Sequence, residues 1–265
     1  MHVIKYLTIV ATFSFILFLA CSNVTDPDSP YNNRYTAESY FSFSINAEDK
    51  TKLDLMSING DIQVVGVENA TDVVVAGNKV VKSNSQMDAD NYLKNLRVSI
   101  AESGNTLYVA SDQPKETDGR SVSINYEIQV PKVWTTAIDL ANGSCLLDSL
   151  YGNIMTKITN GNIMLGSVYT SAYLRVTNGQ ITGTVNLPKN GVLNAQTTNG
   201  VLSFSLPKTT SAQLSAKVTN GTVNIAGLSL SNMVGNQKEI HGNLGAGEGK
   251  IELATTNGNI SIVGY

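Results

Sequence analysis

Chemistry-bearing side chains are scarce in this chain. Charged residues fill 15% of its 265 positions, against about 25% in typical soluble domains. Only two cysteines and two histidines occur, Cys21 and Cys145, His2 and His241. Two cysteines exclude a disulfide scaffold and a four-cysteine zinc site. Two distant histidines exclude a His-rich metal centre, so no metal and no cofactor is expected. Lys and Arg total 18 against 21 Asp and Glu, so the basic surplus of a nucleic-acid binder is missing. Acids are also absent locally: no Asp or Glu lies between Ser149 and Lys238. That stretch cannot hold the carboxylate pair of a glycoside hydrolase or a carboxylate calcium site. The acids upstream, among them Asp88, Asp90, Asp112 and Asp118, fall in helix or loop contexts and read as solvated. A Ser-His-Asp triad would have to use His241, which has no nucleophile motif beside it and reads as a surface residue. No catalytic residue is assigned. A hydrophobic content of 42% excludes disorder in turn.

Long apolar runs are missing except at the start. Met1 to Lys5 is short and basic, and Tyr6 to Ala20 is apolar but interrupted by Thr8, Thr12 and Ser14. It is too short for a membrane span of about 20 residues and fits a signal peptide over residues 1–20. Its end, Leu17-Phe18-Leu19-Ala20-Cys21, resembles the lipobox of bacterial lipoproteins, with Phe18 where the pattern usually has Leu. The resemblance implies cleavage before Cys21 and lipidation of its thiol. Several acyl chains, each at about 0.8 kcal/mol per buried CH₂, anchor durably. An ordinary secretory signal with a chance cysteine is the alternative. Ser22 after the cysteine matches the enterobacterial pattern for the outer membrane. Residues 21–34, polar and proline-bearing, read as a flexible tether.

What is abundant is a repeat. Asn-Gly occurs at Asn59-Gly60, Asn142-Gly143, Asn160-Gly161, Asn178-Gly179, Asn199-Gly200, Asn220-Gly221 and Asn257-Gly258, and again at Asn190-Gly191. From Asn142 the main steps are 18, 18, 21 and 21 residues, then 37. A fixed period near 20 marks stacked repeats. Two and four residues after each Gly the chain is apolar, with mostly polar residues between, and the residues before each Asn alternate likewise. Each repeat therefore reads as strand, corner, strand and return. Gly accepts φ > 0 at the corner, and Asn tolerates the left-handed region and bonds its own backbone. Asn-Gly is also a strong hairpin signal, so an antiparallel meander is one reading. The preferred reading is a β-solenoid like a parallel β-helix, because Thr159, Thr177, Thr198, Thr219 and Thr256 precede five corners at the same phase.

The fold class is thus all-β, with the solenoid over residues 136–265. Residues 35–135 form a less regular β-rich region with one short helix capped by Ser85. Cys145 falls on an inward position and Trp134 on a packed junction. Leu228 to Gly249 breaks the register and reads as a degenerate rung with an exposed loop. The last strand, Ile260 to Gly264, has no evident cap, so end-to-end self-association is expected.

Residues 57–64 (Ser-Ile-Asn-Gly-Asp-Ile-Gln-Val), Val130-Pro131-Lys132, the serial Thr-Asn-Gly rungs and the closing Gly249 to Ile260 resemble a bacterial putative-adhesin family of envelope proteins, a domain of unknown function. The likeness covers roughly residues 40 to 265. It implies a β-solenoid outside the cell membrane and brings no catalytic residues. The expected location is the bacterial cell envelope, lipid-anchored, at the outer membrane or cell surface. The expected role is non-catalytic adhesion, interaction or scaffolding. A carbohydrate-active enzyme on a β-helix scaffold and an envelope-stress signalling component are the alternatives, the first requiring a carboxylate cluster on one face of residues 35–148.

One outward column suggests a binding strip. Three residues before the corner Asn stand Asp139, Lys157, Arg175, Gln196, Lys217 and Ala254, which stacking puts about 4.8 Å apart, with Lys217 two rungs beyond Arg175. Lys189 and Lys208, at the Pro-Lys turns, add a second basic line. Residues 1–148 hold 18 acids and 11 bases, whereas residues 149–265 hold 3 acids and 7 bases. The strip is a candidate for an acidic polysaccharide, lipid head groups or an acidic envelope protein; a solvated face is the plainer reading.

Overall fold

The computed structural model describes residues 32–114 and 116–265. The signal peptide, the Cys21 lipidation site and most of the tether lie outside the described residues. The described residues are all-β apart from one short helix, and their strands form two large mixed sheets of ten and eleven strands.

The first part runs β1 (Tyr35–Asn46), β2 (Lys52–Asn59), β3 (Ile62–Val67) and β4 (Asp72–Ser83). Helix α1 (Gln86–Leu93) follows, then β5 (Arg97–Ser103), β6 (Thr106–Asp112) and β7 (Ser121–Pro131). The Ser85 hydroxyl caps α1 by accepting the Asp88 N–H at 3.2 Å, one of the N–H groups left orphaned at any helix start.

The repeats are strand pairs joined at the Asn-Gly corners. They are β8 (Thr135–Asn142) with β9 (Cys145–Asp148), β10 (Ile154–Asn160) with β11 (Ile163–Tyr169), and β12 (Ala172–Asn178) with β13 (Ile181–Asn186). Then come β14 (Val192–Asn199) with β15 (Leu202–Leu206), and β16 (Ala212–Asn220) with β17 (Val223–Ala226). β18 (Leu230–Asn236) and β19 (Glu239–Leu244) precede the last pair, β20 (Gly249–Asn257) with β21 (Ile260–Gly264).

Each corner passes the chain from one sheet to the other. The eleven-stranded sheet contains the strand before the corner and the ten-stranded sheet the strand after it. Within each sheet the repeats pair parallel and in register, as in Ile154↔Ala172 and Ile163↔Ile181. A meander of hairpins, which needs antiparallel partners, is thereby excluded for these strands. β2 and β3 join the same stack, with Asn59 opposite Asn142. Residues 35–135 and 136–265 therefore share both sheets and one continuous core.

The inward columns carry that core. Ile154, Ala172, Leu193, Ile251 and Leu214 line one sheet, and Cys145, Ile163, Ile181, Leu202, Ile260 and Val223 the other, all buried. Each Leu or Ile so buried contributes about 1.5–3 kcal/mol. Trp134 is buried with them.

Three expectations are corrected. The asparagines of the seven stacked corners are not left-handed: six of their glycines carry the positive φ, from 130° at Gly60 to 149° at Gly221, and Gly200 alone does not. A Cβ on Gly161 would stand 1.8 Å from the Gly143 carbonyl oxygen of the neighbouring repeat, so close stacking as well as φ demands glycine. Second, residues 228–249 are no degenerate rung. β18 and β19 form an antiparallel hairpin, and β19 pairs antiparallel with β16. Third, β21 is not an uncapped end strand. It lies between β15 and β17, and β20 lies between β14 and β16. The last pair in sequence thus sits inside the stack, and the rationale for self-association through Ile260–Gly264 falls away.

Candidate functional site

The outward face of the eleven-stranded sheet carries the predicted strip. Its column reads Asp139, Lys157, Arg175, Gln196, Ala254, Lys217 and Glu239 in spatial order. Because β20 intervenes, Lys217 is three strands beyond Arg175 rather than two. Lys157 and Arg175 are adjacent, as the register predicted.

The strip is mixed in charge. Lys157 pairs with Asp139 at 3.4 Å, Lys217 with Glu239 at 3.1 Å and Lys189 with Glu248 at 2.9 Å. The lysines hold the carboxyls of Glu239 and Glu248 below the usual carboxylate range. His241 adds a 3.1 Å contact to Glu239 on the solvent side. Arg175 instead donates to the amide oxygen of Gln196 at 2.8 Å. Lys208 stands apart at its Pro-Lys turn, where its N–H donates to the Tyr265 carbonyl. The mutual repulsion expected of a cationic line is relieved by these partners.

Beside the strip runs a groove of about 550 Å³, walled by Asp54, Asp139, Lys157, Arg175, Asn194 and Gln196 over Ala137, Met155 and Tyr173. Met155 and Tyr173 are directly opposed on adjacent strands and exposed. Small Ala137, also one strand from Met155, leaves the depression. A polar chain closes the far side: Gln196 donates to Asn194 at 3.2 Å, and Asn194 to Glu252 at 3.0 Å. The groove therefore offers an apolar floor, one guanidinium, two primary amides and carboxylates already partnered by lysines. Sequence reasoning missed Met155 and Tyr173. The signal was present, since both stand five residues before a corner Asn.

The buried thiol does not contribute. Cys145 is enclosed in the core, and burial pushes its pKa well up. Among the described residues no group of three or more His, Cys, Asp or Glu is placed to hold a metal. No helix there is long and apolar enough to cross a membrane.

No family model matches the chain, and no curated protein matches it significantly. Solved structures do. One is of a putative cell adhesion protein from Clostridium sporogenes, 15% identical, aligned over 86% of this chain and 100% of that one with a TM-score of 0.49. Others are of putative adhesins from Bacteroides fragilis and Parabacteroides distasonis, 13% and 12% identical, over 86% of this chain and 97% of each, with TM-scores of 0.32 and 0.34.

Proposed function

We propose that this protein is a non-catalytic module of the bacterial cell envelope, anchored by lipid at Cys21, whose stacked body is a two-faced β-solenoid that holds a surface glycan along the groove. The passage of the chain from one sheet to the other within every repeat, with repeats stacked parallel and in register, supports the solenoid. The observation that carries the binding role is the groove's chemistry. An aromatic ring and a thioether offer an apolar surface for sugar C–H faces, while Arg175, Asn194 and Gln196 offer planar hydrogen-bonding groups at fixed strand spacing. Arg175, not being matched to a carboxylate, favours a glycan bearing acidic groups. The test is a glycan array with the soluble chain from Ser22 onward. Binding is expected to fall at least tenfold in Tyr173→Ala and in Arg175→Glu; binding unaffected by both removes the groove as the site. Anchoring is tested separately: radiolabelled palmitate should enter the full chain expressed in bacteria and should not enter Cys21→Ser.

One observation speaks for the enzyme alternative. Asp54 and Asp139 wall the same groove on paired strands, two residues out of register. Strand spacing and rise put such residues roughly 8 Å apart, within the range of inverting glycosidases. Both carboxylates are taken up by lysines, Asp54 by Lys52 at 2.8 Å and Asp139 by Lys157 at 3.4 Å. They lie on an open face, without the apolar, water-excluded surroundings that a general acid needs. We therefore favour binding. Release of reducing ends from a bound glycan, lost in Asp139→Asn, would reverse that preference.

A further inference from the structure

A second cluster lies on the other sheet, where the strands after the corners end. Tyr151 and Tyr169 stand 18 residues apart, at the same point of successive repeats. Their rings meet edge to face, with centroids 6.0 Å apart and planes at 69°. The Lys132 ammonium stands 5.2 Å from the centre of the Tyr151 ring and is held at 2.6 Å by Glu68. Between these groups is a hollow of about 240 Å³, shared with Ser167, Thr184, Asn186 and Tyr265. The three tyrosines are 51%, 44% and 57% exposed.

The backbone beneath is fixed. The Tyr151 N–H donates to the Lys132 carbonyl at 2.7 Å, and the Tyr169 N–H to the Leu150 carbonyl at 3.1 Å. Asn186 is in register with Tyr169, and Thr184 with Ser167. The Tyr265 N–H is tied to the Leu206 carbonyl at 3.1 Å. The hollow thus sits on strand ends, where geometry is held better than on a free loop.

Three large rings left in water at one rim forgo burial that a protein of this size could use. Their amphipathic bodies, next to two hydroxyls, an amide and an ammonium, form a surface apolar in its faces and hydrogen-bonding at its edges. Lys132 argues against a cationic ligand, since its charge already faces Tyr151. A pyranose ring, with one C–H face and a girdle of hydroxyls, is the complementary shape.

We propose that the Tyr151–Tyr169 hollow is a sugar subsite, separate from the groove on the opposite sheet, that takes one pyranose unit against the tyrosine rings with its hydroxyls toward Thr184, Asn186 and Lys132. It differs from the groove in ligand reach: one ring rather than an extended chain.

The test uses the soluble chain from Ser22 onward, with ¹³C-labelled tyrosine rings, titrated separately with maltotetraose, cellotetraose, chitotetraose and a hyaluronan tetrasaccharide. Saturable shifts of the Tyr151 and Tyr169 ring signals with at least one of them are expected. Read at the ring of Tyr265, which lines the same hollow, the double variant Tyr151→Ala/Tyr169→Ala should weaken that binding at least tenfold, and Asn186→Ala, which spares the rings, severalfold. Arg175→Glu, in the groove, should leave it unchanged. No saturable shift with any of the four probes overturns the proposal. So does binding that survives the double variant, or that is lost in Arg175→Glu and retained without the tyrosines. Because each site is probed by its own substitutions, failure here leaves the groove reading to its own array.

Discussion

Asn160 donates its side-chain amide to the side-chain oxygen of Asn142 at 2.8 Å. The same bond links Asn142 to Asn59, Asn178 to Asn160, Asn199 to Asn178, Asn257 to Asn199 and Asn220 to Asn257. Seven corner asparagines so form one unbroken ladder, every donor pointing the same way. Such aligned bonds polarise one another. Asn178 both donates and accepts, whereas Asn220, at the end, only donates. At about 1 kcal/mol per bond, Asn178→Ala should lower stability by about 1–2 kcal/mol and Asn220→Ala by about half that. Urea unfolding midpoints at constant slope measure both; equal losses would falsify the ladder's role.

The ladder also shows how far the sequence could be read. The Asn-Gly period, the inward columns and the Ser85 cap are legible because each is written in residue types at short, fixed sequence spacings. The asparagine ladder is not legible there, because it exists only between repeats, whereas the left-handed preference of asparagine belongs to the residue alone. Asn190, outside the ladder, does take that conformation, with φ of 60°. The pairing of Lys217 with Glu239 was hidden for a similar reason. It depends on the hairpin of β18 and β19, Leu230 to Leu244, whose residues carry no period, and on strand order, which adjacency in sequence does not fix. Met155, Tyr173, Tyr151 and Tyr169 were readable by phase but occupy outward columns, where no burial pattern draws attention to them.

Close stacking at the corners predicts a graded glycine series. Gly161→Ala meets both an unfavourable φ of 143° and the Gly143 carbonyl at 1.8 Å. Gly104 has φ of 55° with open space around it, so Gly104→Ala should cost about 1 kcal/mol from backbone strain alone. Gly161→Ala should cost well over 3 kcal/mol or abolish folding, since the neighbouring backbone cannot retreat without breaking its ladder. Thermal unfolding of the two variants side by side decides it, and similar melting points would show that stacking adds nothing to the φ requirement.

The link between helix and sheet predicts a defined acid response. The Arg120 guanidinium bonds both oxygens of Asp88, at 2.7 and 2.8 Å, and with the Ser83 hydroxyl holds that carboxyl down to about 2. Arg120 also lies over the Tyr92 ring at 4.5 Å. A carboxyl whose pKa is lower in the folded chain than in the unfolded one stabilises the fold above its ordinary value of 3.8 and loses that contribution as pH falls through about 2. Asp88→Asn should therefore be less stable than the natural chain at pH 7, and the gap should narrow between about pH 4 and pH 2. A gap that stays constant over that window would mean the ion pair is not its source.

The placement of the last strand pair predicts that truncation does not act at an end. β20 and β21 contribute the buried Ile251, Leu253, Ile260 and Ile262 and separate β14 and β15 from β16 and β17. In a stack built in sequence order, removing the final repeat frays only the terminus, because each repeat touches its neighbours alone. Here, removing residues 249–265 takes out an interior layer. β16 loses its parallel partner while keeping the β18–β19 hairpin on its other edge. The prediction is that this truncation strips hydrogen-exchange protection from residues 212–244 while β8 to β13 keep theirs. A truncated chain whose β16 re-pairs with β14 would keep protection across 212–220. It would then show that the inward columns alone select the partner, Leu214 and Ala216 replacing Ile251 and Leu253 against Leu193 and Ala195. Loss of protection would instead mean that the gap between β14 and β16 stays open and only the C-terminal pair can fill it.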